Sequence, residues 1–402
     1  MQIKVLARVQ NADNVIFDDK ISLISDLIKT NQKEIDCSNL IAYPPFINCH
    51  DHLISNWYPK AGEGKPYSNV SKWVVEMRET PPFLERNQVW INDGSFDLTK
   101  GNAPLITQLG IYKNLFSGCV VVQDHISKQK DEYYTNKPIT IMKNYGQCHS
   151  LEMGNWWGGD DAVTEWKKTK GKMPFIVHLG EGTDQAAKKC FPALEKLGLL
   201  QPNTMIIHGI ALSRDELKKC VDHGTTICWC PESNFFLIGQ TLDINSCMEF
   251  GVNVVLGTDS TMSGGINLLS EIKYAHQKFP DFPMKEIFRM ITENAARALY
   301  LPQTYAELES ETSNLLLLRK NNDDVFDNIV HTDIADVAFL MYKEKPVYGD
   351  LEFLQIFDID KEDYSYFEVD GIEKFVLGHP DSINKKIDEI LGYHKDFPYL
   401  PF

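Results

Sequence analysis

The chain has 402 residues, 43% of them hydrophobic and 24% charged, an ordinary globular composition long enough for a large core plus a smaller second domain. A net charge of −16 and a pI near 5.2 argue against nucleic acid or an anionic membrane as a partner. The opening MQIKVLARVQNADNV lacks the basic segment and apolar run of a signal peptide, and no stretch approaches the roughly 18 apolar residues of a membrane span. A cytoplasmic protein acting on a small molecule is therefore expected, with self-association left open.

In chain order, the first informative segment is YPPFINCHDHLISNW (43–57), an apolar run ending in His50, Asp51 and His52. Side chains alternate faces along a strand, so the two histidines point one way and Asp51 the other. Further short apolar runs follow: GCVVVQDH (118–125), PITIMKNYGQCHS (138–150), MPFIVHLGEG (173–182), TMIIHGIALS (204–213), TTICWCPESN (225–234) and VNVVLGTDS (252–260). Such runs, rich in Val and Ile, fit strands buried on both faces of a parallel sheet. Helical patterns such as TDQAAKKCFPALEKLGLL and SRDELKKCVDHG lie between them. The alternation predicts an α/β fold; an open doubly wound sheet would share it, and a (β/α)8 TIM barrel over residues 44–309 is expected. If His50 and Asp259 mark its first and eighth strands, the 209 residues between them give about 30 per strand-helix unit.

Residues 1–43 and 310–402 lack the alternation. DIADVAFLMYKEKPVYGD (333–350) reads as strand and turn, so both ends are expected to form one small β-sandwich-like domain, closed by a terminal helix in SINKKIDEILGYH. The nine scattered cysteines are expected to be reduced thiols. Cys228 and Cys230 read as packing within a β-branched strand.

The strand ends carry the chemistry. The active-site face of such a barrel lies at the C-terminal ends of its strands. There the pattern sets His50 and His52 (strand 1), His125 (near strand 3), His149 (beyond strand 4), His178 (strand 5), His208 (strand 6) and Asp259 (strand 8). His50, His52, His178, His208 and Asp259 converge on one mouth and point to a metal site. Trp57, His125, His149, Trp156 and Trp157 are candidates to line the pocket, since strand-end loops supply specificity. The ESN of 232–234, with Asn234, could bond a substrate or cap the next helix.

Taken in order, FINCHDHL, HLGEG, IIHGIAL, CPESN, LGTDS and TENAARALYL resemble the amidohydrolase superfamily, in particular its chlorohydrolase and cytosine-deaminase-like branch. The resemblance runs from about residue 44 to 302, and IADVAFL and KPVYGD resemble that family's closing β domain. It implies one divalent metal held by His50, His52, His178 and Asp259, with zinc first and iron or manganese as alternatives. It also implies Glu181 as proton shuttle and His208 as the strand-6 histidine that contacts water or substrate. Three neutral imidazoles and a carboxylate leave a divalent ion net positive with a position open for water, whose pKa then falls towards 7. Two departures stand out: Pro45 replaces a usual glycine, and Lys143 lies on the expected fourth strand, where two-metal members carry a bridging carboxylated lysine. The expected activity is metal-dependent hydrolysis of a non-peptide C–N bond, above all deamination of a small nitrogen heterocycle. Cyclic-amide hydrolysis on the same site is the alternative within enzymes. An inactive structural paralogue is the alternative outside them.

Overall fold

A computed structural model describes residues 1–29, 34–90, 96–154 and 158–402. Its centre is a ring of eight parallel strands: β1 (Phe46–Asp51), β2 (Cys119–Asp124), β3 (Thr140–Ile141), β4 (Gly146–Ser150), β5 (Phe175–Leu179), β6 (Thr204–His208), β7 (Thr226–Trp229) and β8 (Val254–Leu256). They pair in the orders β1-β2-β3 and β4 through β8. The Thr258 and Asp259 amides donate to the carbonyl of His50 at 3.0 and 3.1 Å, which joins the end of β8 to β1. Apart from Thr140 in β3, every residue of these strands is buried, as expected for a sheet with both faces covered. Gly257 makes the closure sterically possible, since a Cβ there would lie 2.7 Å from that of His50 and 2.9 Å from Cys228 Sγ.

The strand count differs from the sequence reading at one place. GCVVVQD is β2 rather than the third strand, so His125 follows the second strand. PITIMKNYGQCHS splits into the two-residue β3 and β4, with residues 142–145 bridging them and no helix between. His149 lies within β4. Lys143 falls in this bridge, where it pairs with exposed Asp131 at 2.8 Å, so the structure moves the candidate metal-bridging lysine out to the rim.

Outside the ring, helices are started and stopped by local chemistry. Asp184 caps Gln185–Lys196, while Arg214–His223 opens on a Ser213/Glu216 capping box and ends at Gly224 with φ +67°. The flanking segments meet in one nine-stranded sheet. Gln2–Asn11, Asn14–Leu23 and Glu34–Tyr43 join five C-terminal strands through antiparallel pairing of Glu34–Tyr43 with Leu315–Arg319, and a ninth, Glu311–Thr312, pairs beside Asn14–Leu23. The strand period of two is visible in the core. Leu315 and Leu317 pack within this sheet's own cluster, and Leu316 and Leu318 pack into the barrel cluster. Val337–Tyr342 and Lys345–Asp350 form a hairpin turned by Lys343 and Glu344 at φ +47° and +69°, and the terminal helix is Pro380–Leu391. Among the described residues no helix is long and apolar enough to cross a membrane.

Candidate active site

The mouth of the ring gathers the strand-end residues. The rings of His50 and His52 lie 4.7 Å apart, His50 and His178 4.9 Å, and His52 stacks on His178 at 5.3 Å. Asp259 Oδ1 approaches His50 Nε2 at 3.9 Å and His52 Nε2 at 3.7 Å. These gaps exceed a hydrogen bond but suit two donors on a common ion, since ligand bonds of about 2.1 Å in tetrahedral geometry set donors roughly 3.4 Å apart. Ligand atoms of His50, His52 and Asp259 lie within 4.8 Å of one another, as do those of His50, His178 and His208. Both ring nitrogens of His50 are buried without a hydrogen-bond partner among the described residues. Such orphaned atoms cost about 1–3 kcal/mol each. A divalent metal is the partner this donor set fits.

A second layer fixes which nitrogen faces the mouth. His178 Nδ1 bonds the carbonyl of His149 at 2.8 Å, and a carbonyl only accepts, so the proton is on Nδ1 and the lone pair on Nε2. His208 Nδ1 donates to Asn234 Oδ1 at 2.7 Å, while Asn234 Nδ2 donates to Thr241 Oγ1 at 3.0 Å. Asp259 Oδ2 accepts from Ser233 Oγ at 2.7 Å and Ser263 Oγ at 2.8 Å, and Oδ1 from the Ser260 amide at 2.7 Å. His208 and Asp259 both hold positive φ, +70° and +52°, in the left-handed region that few non-glycine residues adopt. Opposite the histidines, Asp51 meets the wholly buried Lys113 at 3.2 Å. Lys113 Nζ also donates to Asn56 Oδ1 (2.9 Å), Thr258 Oγ1 (3.1 Å) and the Asp259 carbonyl (2.9 Å).

Burial keeps the imidazoles neutral. It is the largest cause pushing His50, His125 and His178 well below the ordinary histidine value, their histidine neighbours adding to it, and it takes His149 down to about 3. Glu181 is raised well above a normal glutamate, first by burial and then by the negative charges of Asp259 and Glu152. Burial alone would raise Asp259 too, but His52, His208, Ser233 and the Ser260 amide outweigh it and hold its pKa down. Glu181 Oε1 stands 3.5 Å from His208 Nε2.

A cavity of about 280 Å³ opens over this floor, lined there by His52, His149, His178, Glu181, His208 and Asp259. Several sequence candidates lie elsewhere. Trp57 is fully buried, donates to Glu85 and meets Phe397 edge to face at 5.2 Å, so it clamps the C-terminal segment and does not line the cavity. Asn234 orients His208. His125 packs behind the floor, 4.6 Å from the ring of His178. Trp156 and Trp157 fall outside the described residues. Lys113 went unread, although a lysine in APLITQLGIYKNLF, a helix buried on most sides, is a signal in itself. All nine cysteines are unpaired and buried, and no candidate ligand group among the described residues includes one.

A 5-methylthioadenosine/S-adenosylhomocysteine deaminase from Pyrococcus abyssi is 34% identical over 342 residues, which span 73% of this chain and 78% of that protein. The amidohydrolase family model matches residues 158–310. The chain belongs to the amidohydrolase superfamily. A 5'-deoxyadenosine deaminase from Methanosphaera stadtmanae is 24% identical over 358 residues, covering 78% of this chain and 82% of its own. Among solved structures, an adenosine deaminase from Xanthomonas campestris with bound zinc superposes with a TM-score of 0.65 at 15% identity, covering 90% of this chain and 95% of its own. Atrazine chlorohydrolase from Arthrobacter aurescens, complexed with zinc, gives 0.64 at 17%, covering 88% and 98%. These two likenesses establish the barrel fold. As an amidohydrolase, the chain is a hydrolytic enzyme, and its His/Asp cluster fits a divalent metal.

Proposed function

We propose that this amidohydrolase deaminates a small amino-heterocycle, using one zinc ion held by His50, His52, His178 and Asp259, with Glu181 as proton shuttle. The observation that carries the reading is the paired geometry of Glu181 and His208: a buried carboxyl and an imidazole Nε2 3.5 Å apart, lining the same cavity as His52, His178 and Asp259. A relative that names 5-methylthioadenosine and S-adenosylhomocysteine, and another that names 5'-deoxyadenosine, support a purine nucleoside as the first compound to try.

When bound, the ion supplies Lewis acidity and lowers the pKa of a coordinated water. The chain does the rest. Glu181 accepts a proton from the attacking water and delivers it to the departing nitrogen; its raised proton affinity suits an acid and base working near neutral pH. His208, its Nδ1–H fixed on Asn234, presents Nε2 to the substrate and stabilises charge as it develops. Asp259, held by three donors, keeps the floor negative enough to retain a cation. The apolar walls exclude competing water. Water adds at the amino-bearing carbon, the C–N bond breaks, and the products are ammonia and the corresponding oxo-heterocycle.

Glu181→Gln keeps the size and removes the base. The variant is expected to retain metal, bind substrate or product, and turn over roughly 10²-fold or more slowly. A panel of amino-heterocycles and cyclic amides, assayed for ammonia and by mass spectrometry, decides the reaction: a gain of one water with nitrogen retained would mean cyclic-amide hydrolysis. Glu181→Gln turning over at the wild-type rate would remove Glu181 from the mechanism.

A further inference from the structure

The far wall of the cavity holds a charge that the deamination reading does not use. Arg86, on the helix Pro81–Val89, lines the same cavity as Glu181 and Asp259 and is only 4% exposed. Its guanidinium meets neutral groups alone. Nη1 approaches Ser55 Oγ at 3.3 Å and Met262 Sδ at 3.9 Å, and Nη2 donates to Asn87 Oδ1 at 3.1 Å. Nε is buried with no hydrogen-bond partner among the described residues. Among the described residues no carboxylate lies within ion-pairing distance of it. Its own walls are aromatic, with the guanidinium 4.5 Å from the Phe83 ring centroid and 5.1 Å from that of Trp90.

A buried cation without an anion is costly, and burial alone drags this guanidinium down to about 10 from its usual value. Cation–π contact offsets part of the cost but cannot satisfy the Nε proton. A carboxylate or phosphate oxygen can, because the guanidinium edge carries two parallel donors matched to an oxyanion. The location fits a substrate group. The Ser55 amide donates to the His52 carbonyl at 2.8 Å, and Met262 lies three residues beyond Asp259, so Arg86 is anchored to the turns that follow two floor residues. At about 280 Å³, the cavity sits at the small end of ligand sites, near the lower bound of roughly 300 Å³, so one molecule reaches both floor and wall.

We infer that Arg86 is a specificity residue that binds an oxyanionic substituent, so that the substrate is an amino-heterocycle carrying a carboxylate or phosphate beside an apolar portion. This rests on the deamination reading for the heterocycle, but not for the anion.

The test uses zinc-loaded protein and matched probes in calorimetry: benzoate against benzamide, and phenyl phosphate against phenol. Wild type should bind at least one anion about 10- to 100-fold more tightly than its neutral partner, and the better pair names the oxyanion. Arg86→Gln should abolish the preference, and Arg86→Lys, which keeps the charge but not the fork, should retain part of it. The lysine variant also serves if the glutamine variant does not fold. Repeating the titrations after chelation separates this site from direct metal binding, since a preference owed to Arg86 survives. No preference in wild type, a preference unchanged in Arg86→Gln, or one that vanishes on chelation each overturns the inference. If the anion preference behaves as expected while no heterocycle in the panel releases ammonia, the deamination reading fails and the oxyanion site stands.

Discussion

Replacing Lys113 by methionine tests whether the barrel floor rests on a buried charge pair. The ammonium has no exposed surface and four kinds of partner: Asp51 at 3.2 Å, Asn56, Thr258 and the carbonyl of Asp259. Methionine fills most of the volume. The neutral partners lose little, because Asn56 Oδ1 still accepts from the Thr261 amide at 3.1 Å, and Thr258 Oγ1 still accepts from Asn48 Nδ2 at 2.9 Å. Asp51 loses its only cation among the described residues and keeps two amide donors, Asn56 Nδ2 at 3.0 Å and Asn114 Nδ2 at 2.9 Å. The cost is therefore that of stranding a buried carboxylate, about 3–5 kcal/mol. In an Asp51→Asn background the buried Lys113 ammonium is itself the stranded charge, so the same substitution should cost nothing or stabilise, leaving a coupling of at least about 3 kcal/mol. A surface control is Lys219→Met, whose 2.7 Å pair with Glu195 leaves both side chains about half exposed, and which should cost under about 1 kcal/mol. Urea unfolding at fixed zinc, followed by circular dichroism and tryptophan emission, measures all four variants. A Lys113→Met cost below about 1 kcal/mol, or equal costs in the two backgrounds, would refute the reasoning.

Asp124 supplies a pH signature. Burial lifts its carboxyl to about 7 against the Tyr133 hydroxyl and the Leu53 amide, so between about pH 4 and 7 the folded state holds a proton that the unfolded chain has released, and its stability contribution is lost as pH rises. Asp124→Asn should match wild type near pH 4 and exceed it by about 2–4 kcal/mol at pH 8 in urea unfolding; identical pH profiles would contradict the shift. Elemental analysis of protein purified without chelators should find one divalent ion per chain, and His50→Ala should lose it; metal-free protein that zinc, iron and manganese all fail to load would return the chain to a structural role. Cys228 and Cys230 replaced together by serine should leave that metal content unchanged, and its loss would make β7 a ligand strand.

How much of this was legible follows from where the information sits in the chain. His50, His52, His178, His208 and Asp259 stand at the ends of apolar runs, and period two alone sets the first pair on one face, so their convergence could be read. β3 is two residues long, too short for any periodicity, and its merger with β4 displaced His125 by one strand and put Lys143 on a strand it does not occupy. The cavity wall was the least legible part. Arg86 sits on a short helix in the long β1–β2 connection, and its environment comes from Ser55 and Met262, 31 and 176 residues away. ESN was visible as polar, but that its serine holds Asp259 and its asparagine holds His208 is a tertiary fact.

The second layer suits the floor to the proposed acid and base chemistry. The groups that pin Nδ1 of His178 and His208 are a backbone carbonyl and a carboxamide. Neither adds negative charge, so the imidazoles stay neutral and the proposed ligand set of three imidazoles and Asp259 carries a single negative charge. A divalent ion held by it keeps a net +1, the condition for acidifying a water. Asp259 in turn spends one oxygen on two serine hydroxyls and directs the other at His50 and His52, which limits how much charge it donates. Lys113 draws on the same residue from below through its carbonyl, and neutralises Asp51, which would otherwise set a second negative charge behind the two histidines. Glu181, lining the same cavity as Asp259, is then left free of any cation or hydroxyl clamp among the described residues, which supports its proposed part as the proton shuttle.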